Sequence, residues 1–74
     1  MHNYTVTRYI TLENGYKKAT WASRPMTIAG ALGTVTEAAQ HLLSEGWDLK
    51  IEENGFVALK GSDNRGFIYE ITGG

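Results

Sequence analysis

The chain has 74 residues, of which 42% are hydrophobic, and its seven Lys and Arg against eight Asp and Glu leave a net charge of -1. That charge balance argues against both an acidic nucleic-acid mimic and a strongly basic nucleic-acid binder. A chain of this length forms one small domain, which buries only roughly 60% of the surface of the unfolded chain. We therefore expect a single domain over residues 1–74 whose stability depends on nearly every apolar side chain.

The first predicted element is a half-buried strand over residues 4–12, where apolar and polar side chains alternate. Its apolar row consists of Tyr4, Val6, Ile10 and Leu12. Arg8 is the one charge in that row. A two-residue hairpin loop after this strand would place Trp21 opposite Arg8, where the guanidinium could stack on the indole.

A hairpin is predicted directly after this strand. Asn14-Gly15 is the strongest short hairpin signal, and a second strand should follow from residue 16 to about residue 22. Two registers are open, because a two-residue loop pairs Ile10 with Ala19 and a three-residue loop pairs it with Lys18. We prefer the two-residue loop.

One helix is predicted in the middle of the chain. Pro25, Gly30 and Gly33 break both the strand and the helix periodicity in residues 23–33, and we interpret this segment as a connection. The helix should begin at Thr34, where residues 34–37 match a capping box. Its apolar stripe is Val35, Ala38, Ala39, Leu42 and Leu43, and Gly46 is placed to end it as a left-handed cap.

Three strands are predicted after the helix. Residues 47–52 alternate and lead into a second Glu-Asn-Gly turn, for which a three-residue loop is favoured because it pairs Ile51 with Val57. A final strand should run from residue 67 to residue 72. The order β-β-α-β-β-β predicts an α+β fold, an antiparallel meander with the helix packed on one face. The core should contain Leu42, Leu43, Trp47, Leu49 and Ile51.

No constellation of residues predicts catalysis. His41 lies on the polar side of the helix, which is typical of a solvated surface histidine, and no serine has an Asp or His arrangement that the sequence supports. Gly30 and Gly33 lack the lysine of a phosphate-binding loop. With no cysteine and only two histidines, the chain cannot supply the usual four N or S ligands of zinc. We expect no enzyme, no cofactor and no metal.

The more informative feature is an excess of aromatic surface. The predicted alternation sends a set of large side chains to the sheet face opposite the helix: Tyr9, Phe56, Phe67, Tyr69 and Ile71. One short helix cannot cover both faces, so this face is predicted to bind a partner protein or a second copy of the chain. The alternatives are that these residues wrap around the sheet edges or that the register is off by one. Arg8, Lys17 and Lys18 are secondary interaction candidates, which with the aromatic residues could bind nucleic acid weakly.

Two resemblances bear on function. Gly73-Gly74 after a strand resembles the tail of ubiquitin-like sulfur carriers, whose terminal glycine is adenylated and thiocarboxylated and whose last strand pairs with the first. The order of hairpin, connection, capped helix and meander is similar to that of several small type I anti-CRISPR proteins of phages and mobile elements. That resemblance implies an inhibitor that binds a host protein complex. With no apolar run of roughly 20 residues and no signal-peptide pattern at residues 1–3, we expect a cytoplasmic location and no membrane partner.

Overall fold

The structure, a computed structural model, describes residues 3–12, 15–60 and 66–73. Asn14, Ser62, the rest of the turn segment 61–65 and Gly74 lie outside the described residues. The elements are β1 (Tyr4–Thr11), β2 (Lys17–Ala22), α1 (Ile28–Ser44), β3 (Asp48–Glu52), β4 (Gly55–Leu59) and β5 (Gly66–Gly73). The five strands form one antiparallel sheet with α1 packed on one face, so the predicted α+β class and element order are confirmed.

The sheet order is β2-β1-β5-β4-β3, which differs from a simple meander. β3, β4 and β5 follow one another as predicted, but β5 also pairs with β1 over the length from Tyr4↔Gly73 to Ile10↔Phe67. Turn residues indicate only which consecutive strands pair. The pairing of β1 with β5 joins distant parts of the chain, and no local sequence pattern predicts it.

The helix begins at Ile28, six residues before the predicted capping box at Thr34. Thr27 is the N-cap, and its hydroxyl accepts a hydrogen bond of 3.1 Å from the backbone N–H of Gly30. Thr34 lies inside the helix and donates its hydroxyl to the carbonyl of Gly30 at 2.9 Å. The prediction was wrong because glycine lowers helix propensity by about 1 kcal/mol, a preference that tertiary packing overrides. Ala31, between the glycines, is fully buried.

The end of the helix is as predicted. Gly46 has φ 90°, and its N–H donates to the carbonyl of Leu43 at 3.1 Å. The N–H of Trp47 donates to the carbonyl of Leu42 at 3.0 Å, which completes a Schellman motif. This motif turns the chain directly from α1 into β3.

The first hairpin combines both predicted registers. Near the turn Ile10 pairs with Lys18, as in the three-residue alternative. Further along, Arg8 pairs with Trp21, as in the two-residue alternative that we preferred. A β-bulge in β2 at Thr20 accounts for the change, because it adds one residue to that strand.

The second hairpin differs from the prediction by one residue. Glu52 pairs with Gly55 and Ile51 with Phe56, so the loop is the two residues 53–54 and the predicted Ile51–Val57 pair is wrong. Gly55 is a strand residue without a positive φ. A Cβ there would collide with the carbonyl oxygen of Tyr69, so this glycine is needed for the close approach of β4 to β5.

The core lies between α1 and the sheet. Leu42, Phe56 and Ala58 form a buried cluster, and the partly buried side chains packed against it are Val35, Ala38, Ala39, Trp47, Leu49, Phe67 and Tyr69. Of the predicted core, Leu42, Trp47 and Leu49 are in place. The prediction is wrong for Leu43, which is 56% exposed on the flank of the helix, and for Ile51, which is 75% exposed on the edge strand β3.

Candidate functional site: an apolar groove beside the helix

A row of large side chains crosses all five strands on the face that α1 covers. From β2 to β3 the row is Trp21, Arg8, Tyr69, Phe56 and Ile51, and each is the direct cross-strand partner of the next. The rings of Phe56 and Tyr69 stack at 5.0 Å between centroids. Phe56 is 2% exposed, whereas Trp21 and Ile51 at the two ends are 43% and 75% exposed. The helix therefore covers the middle of the row and leaves both ends open.

This arrangement corrects the predicted aromatic platform on the opposite face. Phe56, Phe67 and Tyr69 pack under the helix, and Phe67 lies 5.2 Å from Trp47 between ring centroids. Ile71 pairs with the buried Val6 and so shares its face. Tyr9 is the one member of the predicted set on the open face. The cause is the one-residue error in the second hairpin, since such a slip sends every side chain to the other face.

The open face of the sheet is mixed and mostly polar. Tyr9 pairs with Ile68, and Ile68 with Val57, so a short half-buried apolar row crosses its centre. Lys17 covers part of it, with its Nζ 4.4 Å from the centroid of the Tyr9 ring and 3.0 Å from Oε1 of Glu70. No large exposed apolar side chain stands at the centre of the described part of this face.

The three basic candidates do not form one patch. Arg8 pairs with Trp21 and Lys18 with Ile10, which places both on the helix side of the sheet. Lys17 lies on the open face against Tyr9. The predicted set is therefore divided between two faces.

The structure instead brings exposed apolar residues together along one flank of α1. Ile28, Leu32, Leu43 and Ile51 are 44% to 75% exposed and line one groove of about 540 Å³. We call this the apolar groove and define it by Ile28, Leu32, Val35, Leu43, Ile51 and Phe56. These four exposed residues are half of the eight exposed large hydrophobic residues in the described ranges.

The helix supplies most of the apolar groove because its apolar side chains extend beyond the stripe that packs on the core. Ala31 and Leu42 point into the core, while Ile28, Leu32 and Leu43 form a second line on the flank. The sequence contained this signal, since Ile28 and Leu32 are spaced i, i+4. It was missed because these residues fell in the segment interpreted as a connection.

The apolar groove is acidic at one end. Glu52 and Glu53, beside the β3–β4 turn, are the charged residues among its described lining. The Nζ of Lys50 lies 3.7 Å from Oε1 of Glu52, and the Lys50 side chain is exposed on the edge strand β3. The electrostatics therefore favour an occupant with positive charge near the turn.

The remaining chemistry of the described residues is limited. His41 contacts Glu45 at 2.7 Å on the exposed surface of α1, an i, i+4 pair. No group of three or more His, Asp or Glu in the described ranges is placed to hold a metal ion. Within those ranges, no helix is both long and apolar enough to cross a membrane. No family model, curated protein or solved structure matches the chain.

Proposed function

We propose that the chain is a non-enzymatic protein-binding module that holds a basic amphipathic helix of a partner protein in the apolar groove. The observation that carries the proposal is the concentration of exposed apolar residues in this one place. Ile28, Leu32, Leu43 and Ile51 remain open to solvent in the folded chain. Covering them would gain roughly 25 cal/mol for each Å² of apolar surface removed from water.

The dimensions of the apolar groove fit a helix. From Ile28 to Leu43 the flank of α1 extends for about 22 Å, at 1.5 Å of rise per residue. A partner helix of four turns would match this length and present anchors at i, i+3, i+4 and i+7. Ridges of Leu32 and Leu43 would then pack between the side chains of the partner.

Charge decides between another protein and a second copy of this chain. A two-fold dimer would place the apolar groove against its own copy, since such contacts use the same patch on both subunits. The described lining has Glu52 and Glu53 but no Lys or Arg; Lys50 meets Glu52 from outside the groove, which leaves Glu53 to a partner. A basic partner satisfies this end, so we favour a heterologous partner over a homodimer.

The form of this activity that the anti-CRISPR resemblance implies is inhibition of a host protein complex in the cytoplasm, by occupying a surface that the complex needs. Two other activities are less well supported. A sulfur carrier needs its terminal glycine to enter the active site of an enzyme. β5 does pair with β1, as the last strand pairs with the first in those carriers, but Gly73, the residue before the terminal glycine, pairs with Tyr4 inside the sheet. A nucleic-acid binder needs a continuous basic surface, whereas Lys17 and Lys18 lie on opposite faces.

The test uses a helical peptide with leucine at i, i+3, i+4 and i+7 and lysine elsewhere, and a second peptide with glutamate in place of lysine. We expect the lysine peptide to bind the native chain, by fluorescence anisotropy, and the glutamate peptide to bind at least about tenfold more weakly. Leu32→Lys should weaken binding of the lysine peptide about tenfold or more, because it puts a charge in the apolar groove. Glu53→Lys should weaken it as well and lower its salt dependence.

Leu59→Lys and Asp48→Lys are the matched controls, because both residues are exposed and lie outside the groove. All four variants should keep the native melting temperature. Equal binding of both peptides, or equal effects of Leu32→Lys and Leu59→Lys, would count against the proposal. A native dimer in sedimentation equilibrium that Leu32→Lys dissociates would show that a second copy occupies the apolar groove.

A further inference from the structure

The opposite flank of α1 also has an open cleft, at the other end of the cross-strand row. This cleft has a volume of about 650 Å³ and lies between the helix and strands β1 and β2. Its lining includes Arg8, Trp21, Glu37, His41 and Tyr69. We call it the arginine cleft. It shares no charged or aromatic residue with the apolar groove.

Arg8 has unused hydrogen-bonding capacity in this cleft. It is half-buried, and its Nε donates to Oγ1 of Thr20 at 3.1 Å. The two Nη groups donate to no other residue in the described ranges, and no carboxylate there pairs with them. A guanidinium has five N–H donors, so several remain for a ligand. A charge on the apolar side of a sheet is costly unless it is paired.

The local structure orients this guanidinium. The bulge in β2 inserts Thr20 beside Arg8, and the Thr20 hydroxyl also contacts the carbonyl of Arg8 at 3.3 Å. Bulges are known to re-aim neighbouring side chains. Trp21 and Tyr69, the direct cross-strand partners of Arg8, stand on its two sides. Arg8 therefore lies between two aromatic residues in the strand register, and in the described part of the chain its guanidinium makes no cation–π contact with either ring.

From this geometry we infer that the arginine cleft binds a carboxylate attached to an aromatic ring. The planar fork of a guanidinium matches a carboxylate with two parallel hydrogen bonds. Trp21 and Tyr69 supply the surface that an aromatic ring prefers. Glu37 on the helix side repels a doubly charged phosphate more strongly than a singly charged carboxylate, and His41 is already paired with Glu45. The carboxylate could belong to a small molecule or to an acidic side chain next to an aromatic residue in a peptide.

The test measures binding to the native chain by NMR, following the indole N–H of Trp21, which a Trp47→Phe variant distinguishes from the other tryptophan. The probes are benzoate, its neutral analogue benzamide, inorganic phosphate and the capped dipeptide acetyl-Phe-Asp-amide. We expect benzoate or the dipeptide to shift this signal with a dissociation constant on the order of a few millimolar, as expected for a ligand of this size. Benzamide and phosphate should bind at least about tenfold more weakly.

Arg8→Gln should abolish the benzoate shift, while Arg24→Gln, an exposed arginine outside the cleft, should leave it unchanged. If Arg8→Gln melts at a lower temperature than the native chain, Trp21→Ala serves as a second variant. Its binding is monitored through the NMR signals of Tyr69, and it should also be weaker than that of the native chain. The tighter of benzoate and dipeptide identifies the source of the carboxylate. Equal binding of benzamide and benzoate, native affinity in Arg8→Gln, or no shift with either carboxylate would overturn the inference.

Discussion

Gly55 is a residue at which a single methyl group should have a large effect. Gly55→Ala places a Cβ against the carbonyl oxygen of Tyr69, so β4 and β5 must move apart. Overpacking of this kind costs about 1–3 kcal/mol, a large part of the stability of a small domain. We expect denaturant unfolding to show this loss.

Gly33 gives the matched control for the same substitution. It lies inside α1, and a Cβ there would meet no other atom within 4 Å. Gly33→Ala should therefore stabilise the chain by about 0.5–1 kcal/mol, because alanine loses less backbone entropy in a helix. Two Gly→Ala variants that both destabilise, or both stabilise, would contradict the assigned roles.

Two consecutive leucines should also differ in their contribution to stability. Leu42 is 7% exposed in the core, whereas Leu43 is 56% exposed in the apolar groove. Leu42→Ala should cost roughly 2–5 kcal/mol from lost burial and a cavity, and Leu43→Ala less than about 1 kcal/mol. Thermal or chemical denaturation measures both. Equal losses would mean that the helix is rotated about its axis relative to this structure.

Gly55 also shows why the faces of β4 and β5 could not be predicted. The Glu-Asn-Gly sequence is typical of a turn with the glycine in the loop, and the same three residues allow a loop one residue earlier. What decides is the close approach of β5, a contact that no local pattern contains. Because side chains alternate, this one-residue difference in register places Phe56, Phe67 and Tyr69 in the core and not on the predicted binding face.

At the level of elements, the start of α1 can be tested with two threonines. Thr27 caps the helix through its bond to Gly30, whereas Thr34 lies in the second turn. Thr27→Ala should cost about 1 kcal/mol. Thr34→Ala should change stability by less than about 0.5 kcal/mol. The variant loses the hydrogen bond from the Thr34 hydroxyl to Gly30, but alanine has the higher helix propensity, and the two effects offset each other. Unfolding curves that reverse this order would restore the capping box at Thr34 as the start of the helix.

The elements themselves were largely predictable, and their limits less so. Alternation in residues 4–12 and 47–52 and the glycine at position 46 indicated strands and the end of the helix correctly. The first turns of α1 were not predictable from propensity, because Gly30 and Gly33 weaken it there. The burial of Ala31 against the rest of the fold stabilises this part of the helix instead.

On the scale of the whole molecule, one helix lies over a sheet that is wider than it is. Five strands spaced about 4.8 Å apart span about 19 Å between the edge strands, and a helix with its side chains is about 10 Å wide. The helix therefore covers Phe56 and Tyr69 at the centre and leaves Trp21 and Ile51 exposed at the two sides. The apolar groove and the arginine cleft are the two uncovered strips of the same face.

The position of β5 in the sheet has a consequence for how the chain folds. β5 follows the other strands in sequence but lies between β1 and β4, and it pairs Tyr4 with Gly73. Until residues 66–73 have left the ribosome, the two hairpins have no strand to join them, and an isolated hairpin is marginally stable at best. In the growing chain Val6 then lacks its partner Ile71, and Phe56 lacks its partner Tyr69. Folding of the sheet must wait for β5, and contacts between such distant residues form slowly.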